Sequence, residues 1–392
     1  MKKTLLLVLA IFCLFTFTNA QSENNVKVTV KLKGLKATKC SFRLQNKENP
    51  KGKWVSFPVK GETISHQWKV DEPTLVYFSS DDRAVMKFSG PDKRGYFMSP
   101  VSSFIFIAYP GMNMNVEGKI SDYVDAFPSG DKENNLVAEL NRKIYPLQNK
   151  TMNVLYQMGD KTISASKKEE LKAQRNKLDA QVSEISFKFV QKHISSIYGM
   201  ITARKFIGNK ISLKEFPKYL KKIDSKYKKS RYYKDLVDTY KRLVSQKKSQ
   251  EKTKVGRKAP RIKTNATYSG KEFDLKSYRG KYVLIDFWGT WCGYCIKGMP
   301  EMKKFADAHK SKMRIVGIAS ESKNTKPWRN FIKNHPYKWV QVLNGKGKYD
   351  YVKQFGVSGF PTKILISPKG KILLRHVGED PQFYKDLEKL LK

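Results

Sequence analysis

Two cysteines separated by two residues, Cys292 and Cys295, are the part of this chain best suited to covalent chemistry. An apolar and aromatic run, residues 283–288, precedes them, and apolar side chains spaced three and four residues apart follow them. The run predicts a strand buried on both faces, and the later spacing predicts a helix. Cysteines placed three apart in the first turn of that helix would have sulfurs within bonding reach.

The start of the predicted helix favours a thiolate at Cys292. Free backbone N–H groups and the positive end of the helix dipole meet at this position. The dipole contributes roughly 0.3–1 kcal/mol, which is less than one pKa unit, so it does not activate the thiol alone. Neighbouring donors and a partly enclosed site must supply the rest. Pro300 lies within the predicted helix and is expected to interrupt and kink it.

The residues from Asp286 to Cys295 read Asp-Phe-Trp-Gly-Thr-Trp-Cys-Gly-Tyr-Cys and resemble the thioredoxin active site. A second signature, Val-Ser-Gly-Phe-Pro-Thr, follows at residues 357–362. The resemblance runs from about Val255 to Lys392 and is nearest to the TlpA/ResA-like thiol-disulfide oxidoreductases. It implies a thioredoxin-like α/β domain in which Pro361 is cis and lies against the cysteine pair.

The resemblance also implies a role for each matched residue. Cys292 would attack a substrate disulfide, and Cys295 would then release the reduced substrate and close the Cys292–Cys295 disulfide. Asp286 would be buried behind the pair, would have a raised pKa and would move the proton of the resolving thiol. The residues implied to face the substrate are Trp291, Gly293, Tyr294, Phe360 and Pro361.

The sequence departs from the resembled pattern at two places. Gly298 stands where many relatives carry a glutamate three residues after the second cysteine, so Asp286 is expected to be the only acid of the motif. Gly293 and Tyr294 separate the cysteines in place of Gly-Pro, which should shift the reduction potential.

A bare Cys-x-x-Cys could instead be half of a zinc site. Zinc would need two further ligands, and the five histidines show no paired ligand spacing. We therefore predict no metal and no other cofactor. A thiol peroxidase of the same fold remains an alternative, although no proline stands just before Thr290. A non-catalytic binding protein acting through its N-terminal domains is the other.

The N-terminus resembles a secretory signal peptide. Lys2 and Lys3 precede an apolar run, and small residues lead to a cleavage point after Ala20. A lipoprotein acceptor at Cys13 is disfavoured, because Phe12 stands where a small residue is expected. These features predict a protein exported to the periplasm or cell envelope. Cys40 is expected to be a small buried residue without a redox role.

The net charge of +42 over 392 residues predicts attraction to anionic envelope surfaces. Nucleic acid is not an expected partner of an exported protein. The resemblance implies protein disulfide or dithiol substrates and a membrane thiol reductant.

The hydrophobic pattern divides the chain into domains of a multidomain α+β protein. We predict a signal peptide at 1–20, an antiparallel β-sandwich at 21–125, a helical region and linker at 126–254 and the thioredoxin-like domain at 255–392. Period-two alternation in residues 26–32 supports the sandwich. Residues 110–119 read Pro-Gly-Met-Asn-Met-Asn-Val-Glu-Gly-Lys and resemble the end of a β domain of unknown function in Bacteroidetes exported proteins. Residues 245–257 are the expected linker, being polar and rich in lysine and glutamine.

Overall fold

The computed structural model describes residues 24–45, 52–82, 84–85, 87–88, 96–97, 102–322, 324–335 and 337–391. The predicted signal peptide, with Cys13, lies outside these ranges. The chain divides into two compact units. The first contains the described residues up to Lys210 and also Pro217–Leu236; the second contains Ile211–Phe216 and the described residues from Val237 onward.

The first unit contains two sheets packed around one core. Its described strands are β1 (Val26–Lys33), β2 (Lys39–Gln45), β3 (Lys53–Pro58), β4 (Thr63–Trp68), β5 (Thr74–Ser80), β6 (Lys87–Phe88), β7 (Tyr96–Phe97), β8 (Ser103–Ala108), β9 (Asn113–Ile120) and β10 (Val124–Ala126). One sheet has the order β10-β9-β1-β4 and the other β3-β2-β5-β8, while β6 pairs with β7. Most pairs are antiparallel, and β1 with β9 is parallel.

The alternation in β1 explains the sandwich. Val28 and Val30 are buried, while Lys27 and Lys31 on either side of them are exposed. They share a core with Phe42 and Phe78 of the second sheet. Each sheet therefore buries one apolar face against the other, as the sequence pattern predicts.

The helices follow the strands in the chain. They are α1 (Lys132–Met158), α2 (Ala165–His193), α3 (Ile197–Ala203), α4 (Phe216–Lys221) and α5 (Arg231–Lys252). Side chains of Asp131 and Ser164 cap the N-termini of α1 and α2 by accepting backbone N–H groups. The buried side chains of Val154, Leu171 and Leu178 form the small core between these two helices.

The predicted linker at residues 245–257 is wrong for most of its length, because α5 continues to Lys252. Its polar residues are donors to backbone carbonyls of the second unit. Gln246 donates to Val357 O at 2.8 Å, Gln250 to Gly356 O at 3.0 Å and the Thr253 hydroxyl to Phe355 O at 3.1 Å. A polar composition favours a solvated linker, whereas in the structure these side chains form part of the second unit.

The second unit is built on a mixed sheet. Its strands are β11 (Lys263–Thr264), β12 (Phe273–Asp274), β13 (Tyr282–Trp288), β14 (Met313–Ala319), β15 (Val340–Leu343), β16 (Thr362–Ile366) and β17 (Ile372–Val377), and its further helices are α6 (Gly293–Ala308), α7 (Lys326–Lys333), α8 (Tyr351–Gln354) and α9 (Pro381–Leu391). The main sheet has the order β15-β14-β13-β16-β17. β13, β14 and β15 are parallel, and β16 and β17 are antiparallel.

The central strand β13 separates two apolar cores. Ile285 and Phe287 point into one core, and Leu284 and Trp288 point into the other, which also contains Cys292 and Cys295. Asp286 lies two residues from both Leu284 and Trp288, so its side chain is on their face of the sheet, which also carries the cysteines. The alternation along β13 therefore places the Asp286 side chain on the side of the core that contains the cysteines.

The helix α6 begins at Gly293, directly after Cys292, as the cysteine spacing predicts. Two local details differ from the sequence pattern. The strand β15 was not predicted, because a four-residue edge strand gives little periodic signal. Pro300 does not end α6, which continues to Ala308.

Candidate active site at the Cys292–Cys295 pair

The cysteine pair lies where β13 turns into α6. Cys292 is the N-cap residue of α6, and its sulfur accepts a hydrogen bond from the backbone N–H of Cys295 at 3.2 Å. The two side chains form a disulfide. Cys295 is almost wholly enclosed, and Cys292 is the more accessible of the two. The first sulfur can therefore meet a partner, while the second meets mainly the first.

The turn before the pair is held by the loop that follows β14. The carboxylate of Glu321 accepts the backbone N–H of Thr290 at 2.7 Å and the Thr290 hydroxyl at 2.9 Å. The indole N–H of Trp291 donates to the Ser320 carbonyl at 2.8 Å. These contacts fix the approach to Cys292, and Glu321 was not singled out by the sequence.

The rim of the site is aromatic. Trp291 is 61% exposed and Tyr294 is 72% exposed, which is unusual for side chains of this size. The Trp291 and Phe360 rings meet edge to face with centroids 5.1 Å apart. The Phe360–Pro361 peptide bond is cis. Gly293, at the same helix start, is also exposed. The five residues expected to face a substrate therefore include this glycine and two large accessible aromatics.

Asp286 lies beneath this surface with only 1% of its area exposed. Burial raises the pKa of its carboxyl to about 6; Lys363 opposes that rise and Glu379 adds to it. Lys363 is also 1% exposed, and its Nζ is 3.9 Å from Asp286 Oδ1. The same Nζ forms a closer ion pair with Glu379. A carboxyl with this pKa can take up or release a proton near neutral pH.

Sequence reasoning missed Lys363 and Glu379. A signal was present for the first, since Lys363 interrupts an otherwise apolar strand that follows Pro361. A lysine in a strand buried on both faces is almost always paired, so an acidic partner could have been sought. Glu379 lies in the segment after β17 and carried no such signal.

The comparisons with known proteins concern this second unit. A family model described as Redoxin matches residues 254–391. The thiol-disulfide oxidoreductase ResA of Bacillus thuringiensis subsp. konkukian is 33% identical over 144 residues, which are 36% of this chain and 80% of that protein. The chain belongs to the ResA family of thiol-disulfide oxidoreductases.

Two further proteins are similar to the second unit. The sporulation thiol-disulfide oxidoreductase A of Bacillus subtilis is 28% identical over 122 residues, covering 30% of this chain and 72% of that protein. The thioredoxin domain of a thiol-disulfide oxidoreductase from Bacteroides vulgatus is a structural neighbour with 31% identity and a TM-score of 0.32, covering 36% of this chain and 99% of that chain. The enzyme class and the thioredoxin-like fold of this ResA-family member agree with the sequence predictions.

Gly298, one of the two departures from the resembled pattern, lies beside Glu379. A Cβ placed on Gly298 would overlap the carboxylate of Glu379. Asp286 is therefore not the only carboxylate on this face of the sheet, although it is the only one within the motif. The site thus contains a carboxylate that the motif alone does not show.

The described residues also bear on metal binding and membrane spanning. Within the residues that the structure describes, no group of three or more histidine, cysteine, aspartate or glutamate side chains could hold a metal ion. In that same part of the chain, every helix is too short or too polar to cross a membrane.

Proposed function

We propose that this ResA-family enzyme is exported and reduces or exchanges disulfides of envelope proteins through the Cys292–Cys295 pair. One observation carries the proposal most. The two cysteines close a disulfide at the start of α6, on the sheet face that also carries the buried acid Asp286. A pair placed this way can accept and return two electrons by thiol-disulfide exchange alone.

In the reducing direction the cycle starts from the dithiol. The Cys292 thiolate attacks one sulfur of the substrate disulfide, which breaks that S–S bond and leaves a mixed disulfide with one substrate thiolate, which is then protonated. Asp286 accepts the proton of Cys295, whose sulfur then attacks Cys292 Sγ. The second substrate thiolate leaves and takes up a proton, so the substrate gains two electrons and the enzyme holds the disulfide.

The enzyme disulfide must then be reduced by a dithiol donor, and we assign that role to a membrane thiol reductant. That donor forms its own mixed disulfide with Cys292 and ends as a disulfide, so electrons and protons balance. If the partner is instead a disulfide that accepts electrons, the same steps run in reverse and oxidise a substrate dithiol.

The substrate surface in this proposal is the aromatic rim. Trp291 and Tyr294 offer accessible rings on either side of Cys292, and Gly293 leaves backbone open between them. Phe360 packs edge to face against Trp291, and the buried Pro361 follows it in the chain. In this proposal backbone groups there pair with an extended peptide. Such a surface favours protein substrates that present their disulfide in an extended segment.

The proposed location and architecture rest on the sequence. The basic, apolar and small-residue order of residues 1–20 supports export with cleavage after Ala20, and the charge of +42 supports contact with anionic envelope surfaces. We propose residues 21–125 as a β-sandwich positioning or binding module and 126–254 as a helical region. Residues 255–392 then hold the whole redox motif.

The direct test is reduction of insulin disulfides by the full chain with dithiothreitol as electron donor. The wild type is expected to accelerate insulin precipitation, and Cys292→Ser is expected to remove the acceleration entirely. Cys40→Ser is the matched control and should retain it. Full activity of Cys292→Ser would refute the proposal. Hydrogen peroxide consumption by the same samples would instead support a thiol peroxidase.

Substrates can be identified by trapping. Cys295→Ser removes the resolving thiol, so mixed disulfides at Cys292 should persist and carry partner proteins through non-reducing electrophoresis. The double variant Cys292→Ser/Cys295→Ser is the control and should trap none. Equal recovery from both variants would argue against envelope-protein substrates.

A further inference from the structure

The proton-handling part of the site contains one cation and two carboxylates. Asp286 comes from β13, Lys363 from β16 and Glu379 from the segment that follows β17. Lys363 Nζ contacts both acids, and both Lys363 and Asp286 are shielded from water. When all three groups are ionised the cluster has a net charge of −1. An uncompensated charge is costly in such a place, so one proton is readily retained.

The Glu379 carboxylate occupies the space beside α6 where a side chain at position 298 would otherwise lie. Gly298 lies one helical turn beyond Cys295 and faces the same way. Any side chain at position 298 would collide with the Glu379 carboxylate. The glycine therefore admits a carboxylate from another element, and that carboxylate is held there by Lys363.

We propose that Glu379 and Lys363 act as a positioning pair that controls when Asp286 accepts the proton of Cys295, with Glu379 filling the place beside α6 that Gly298 vacates. This inference rests on the proposed function, since it concerns the step in which Cys295 resolves the mixed disulfide. Neither residue needs to touch the substrate.

The physical basis is competition for one ammonium group. Glu379 engages Lys363 closely, so less of that positive charge stabilises the Asp286 carboxylate. Without Glu379, the Lys363 ammonium group interacts with Asp286 alone, which favours the charged form of the Asp286 carboxyl. Removing Lys363 leaves two carboxylates facing each other, which favours the neutral acid. Removal of Glu379 and removal of Lys363 must therefore shift the ionisation of Asp286 in opposite directions.

Other groups near the cluster do not duplicate this arrangement. From β14, Gly317 lies opposite Asp286 and carries no charge. From β17, His376 lies opposite Lys363. From α9, the buried Tyr384 hydroxyl has its pKa raised by burial and then by Glu379, Asp286 and Glu301 of α6. Tyr384 therefore stays a neutral phenol near pH 7, and Lys363 is the cation in contact with both acids.

The experiment follows resolution directly. Reduced full-length protein is mixed with dithiobis-nitrobenzoate in a stopped-flow instrument. Attack by Cys292 releases one thionitrobenzoate, and attack by Cys295 on the resulting mixed disulfide releases the second. The rate of the second release is measured from pH 4.5 to 8.5. Its acidic midpoint in the wild type is expected near the Asp286 pKa of about 6.

Two variants carry the test, with two further ones for support. Glu379→Gln is expected to lower the midpoint and Lys363→Met to raise it, each by roughly one unit or more. Gly298→Ala should lower it as well, because its methyl group displaces Glu379 while that carboxylate stays in the chain. Glu388→Gln, an exposed acid of α9 paired with His309, is the matched control and should leave the midpoint unchanged.

The outcomes separate this inference from the proposed function. Opposite shifts for Glu379→Gln and Lys363→Met support it. Shifts in the same direction, or none, overturn it while the wild type still shows a second release. If the wild type shows no second release at any pH, the proposed function itself fails. Unfolding of Lys363→Met would leave the decision to Glu379→Gln and Gly298→Ala, whose common shift is required.

Discussion

The chain buries a thiol in two different ways, and the comparison explains which one reacts. Cys40 lies in β2 within the sandwich core, and burial raises its pKa to about 12. Cys292 caps a helix, has a backbone N–H directed at its sulfur and lies next to exposed aromatics. Both side chains are shielded, so low exposure alone does not define a reactive cysteine. What differs is whether the surroundings stabilise a negative sulfur.

The burial that makes the Cys40 thiol unreactive also suits Asp286 to its proposed role. Burial disfavours the charged form of both groups and so raises both pKa values. For a thiol this moves ionisation far above neutral pH. For a carboxyl it moves ionisation toward neutral pH, as the proposed role of Asp286 requires.

The largest expected contrast is in the chemical reactivity of the thiols. In the reduced protein at pH 8, Cys40 should react with iodoacetamide roughly a thousandfold more slowly than an ordinary exposed thiol, because burial raises its pKa to about 12. Cys292, the more reactive thiol in this comparison, should be alkylated first. Peptide mass spectrometry over a time course measures both rates. In denaturant the two rates should converge, and similar rates in the native protein would contradict this reading of Cys40.

The next contrast is in the pH dependence of stability. Because the folded pKa of Asp286 is raised, its favourable contribution is complete below about pH 4 and is lost as pH rises through about 6. Asp286→Asn removes this dependence. Its free energy of unfolding relative to the wild type should increase by up to roughly 3 kcal/mol between pH 4 and pH 8. Urea unfolding at both pH values measures it.

Asp274 is a control of opposite sign for that measurement. Hydrogen bonds from Arg261 and from the backbone of Lys276 lower its pKa, so its contribution is present at neutral pH and is lost in acid. Asp274→Asn should therefore lose stability relative to the wild type at pH 8 more than at pH 3. The same slope for both variants would mean that burial does not govern Asp286.

The smallest expected effect comes from removing the inert thiol. Cys40→Ala deletes one buried atom from the sandwich core and should cost about 1 kcal/mol of unfolding free energy. Insulin reduction by this variant should equal that of the wild type, because Cys40 belongs to the other unit. Thermal unfolding and the insulin assay together decide it. A loss of activity in a folded protein would give Cys40 a redox role.

The sequence predicted the parts of the fold that have strong periodicity or a dense motif. The sandwich follows from alternation in β1, and the redox unit follows from the run through Asp286 into Cys292 and Cys295. The sequence did not predict that Glu379 would approach Gly298, because a contact 81 residues apart along the chain leaves no local pattern. The linker prediction was wrong because the sequence does not distinguish a glutamine that faces solvent from one that donates a hydrogen bond to a backbone carbonyl.

The end of α5 has a practical consequence for anyone who wishes to excise the redox module. Gln246, Gln250 and Thr253 hold the carbonyls of residues 355–357, and Gly356 has a positive φ with no room for a Cβ beside Gln250. A fragment that starts at Val255 strips away all three donors. One that starts at Val237 keeps them, and we expect it to resist limited proteolysis at the 355–357 corner better than the shorter piece.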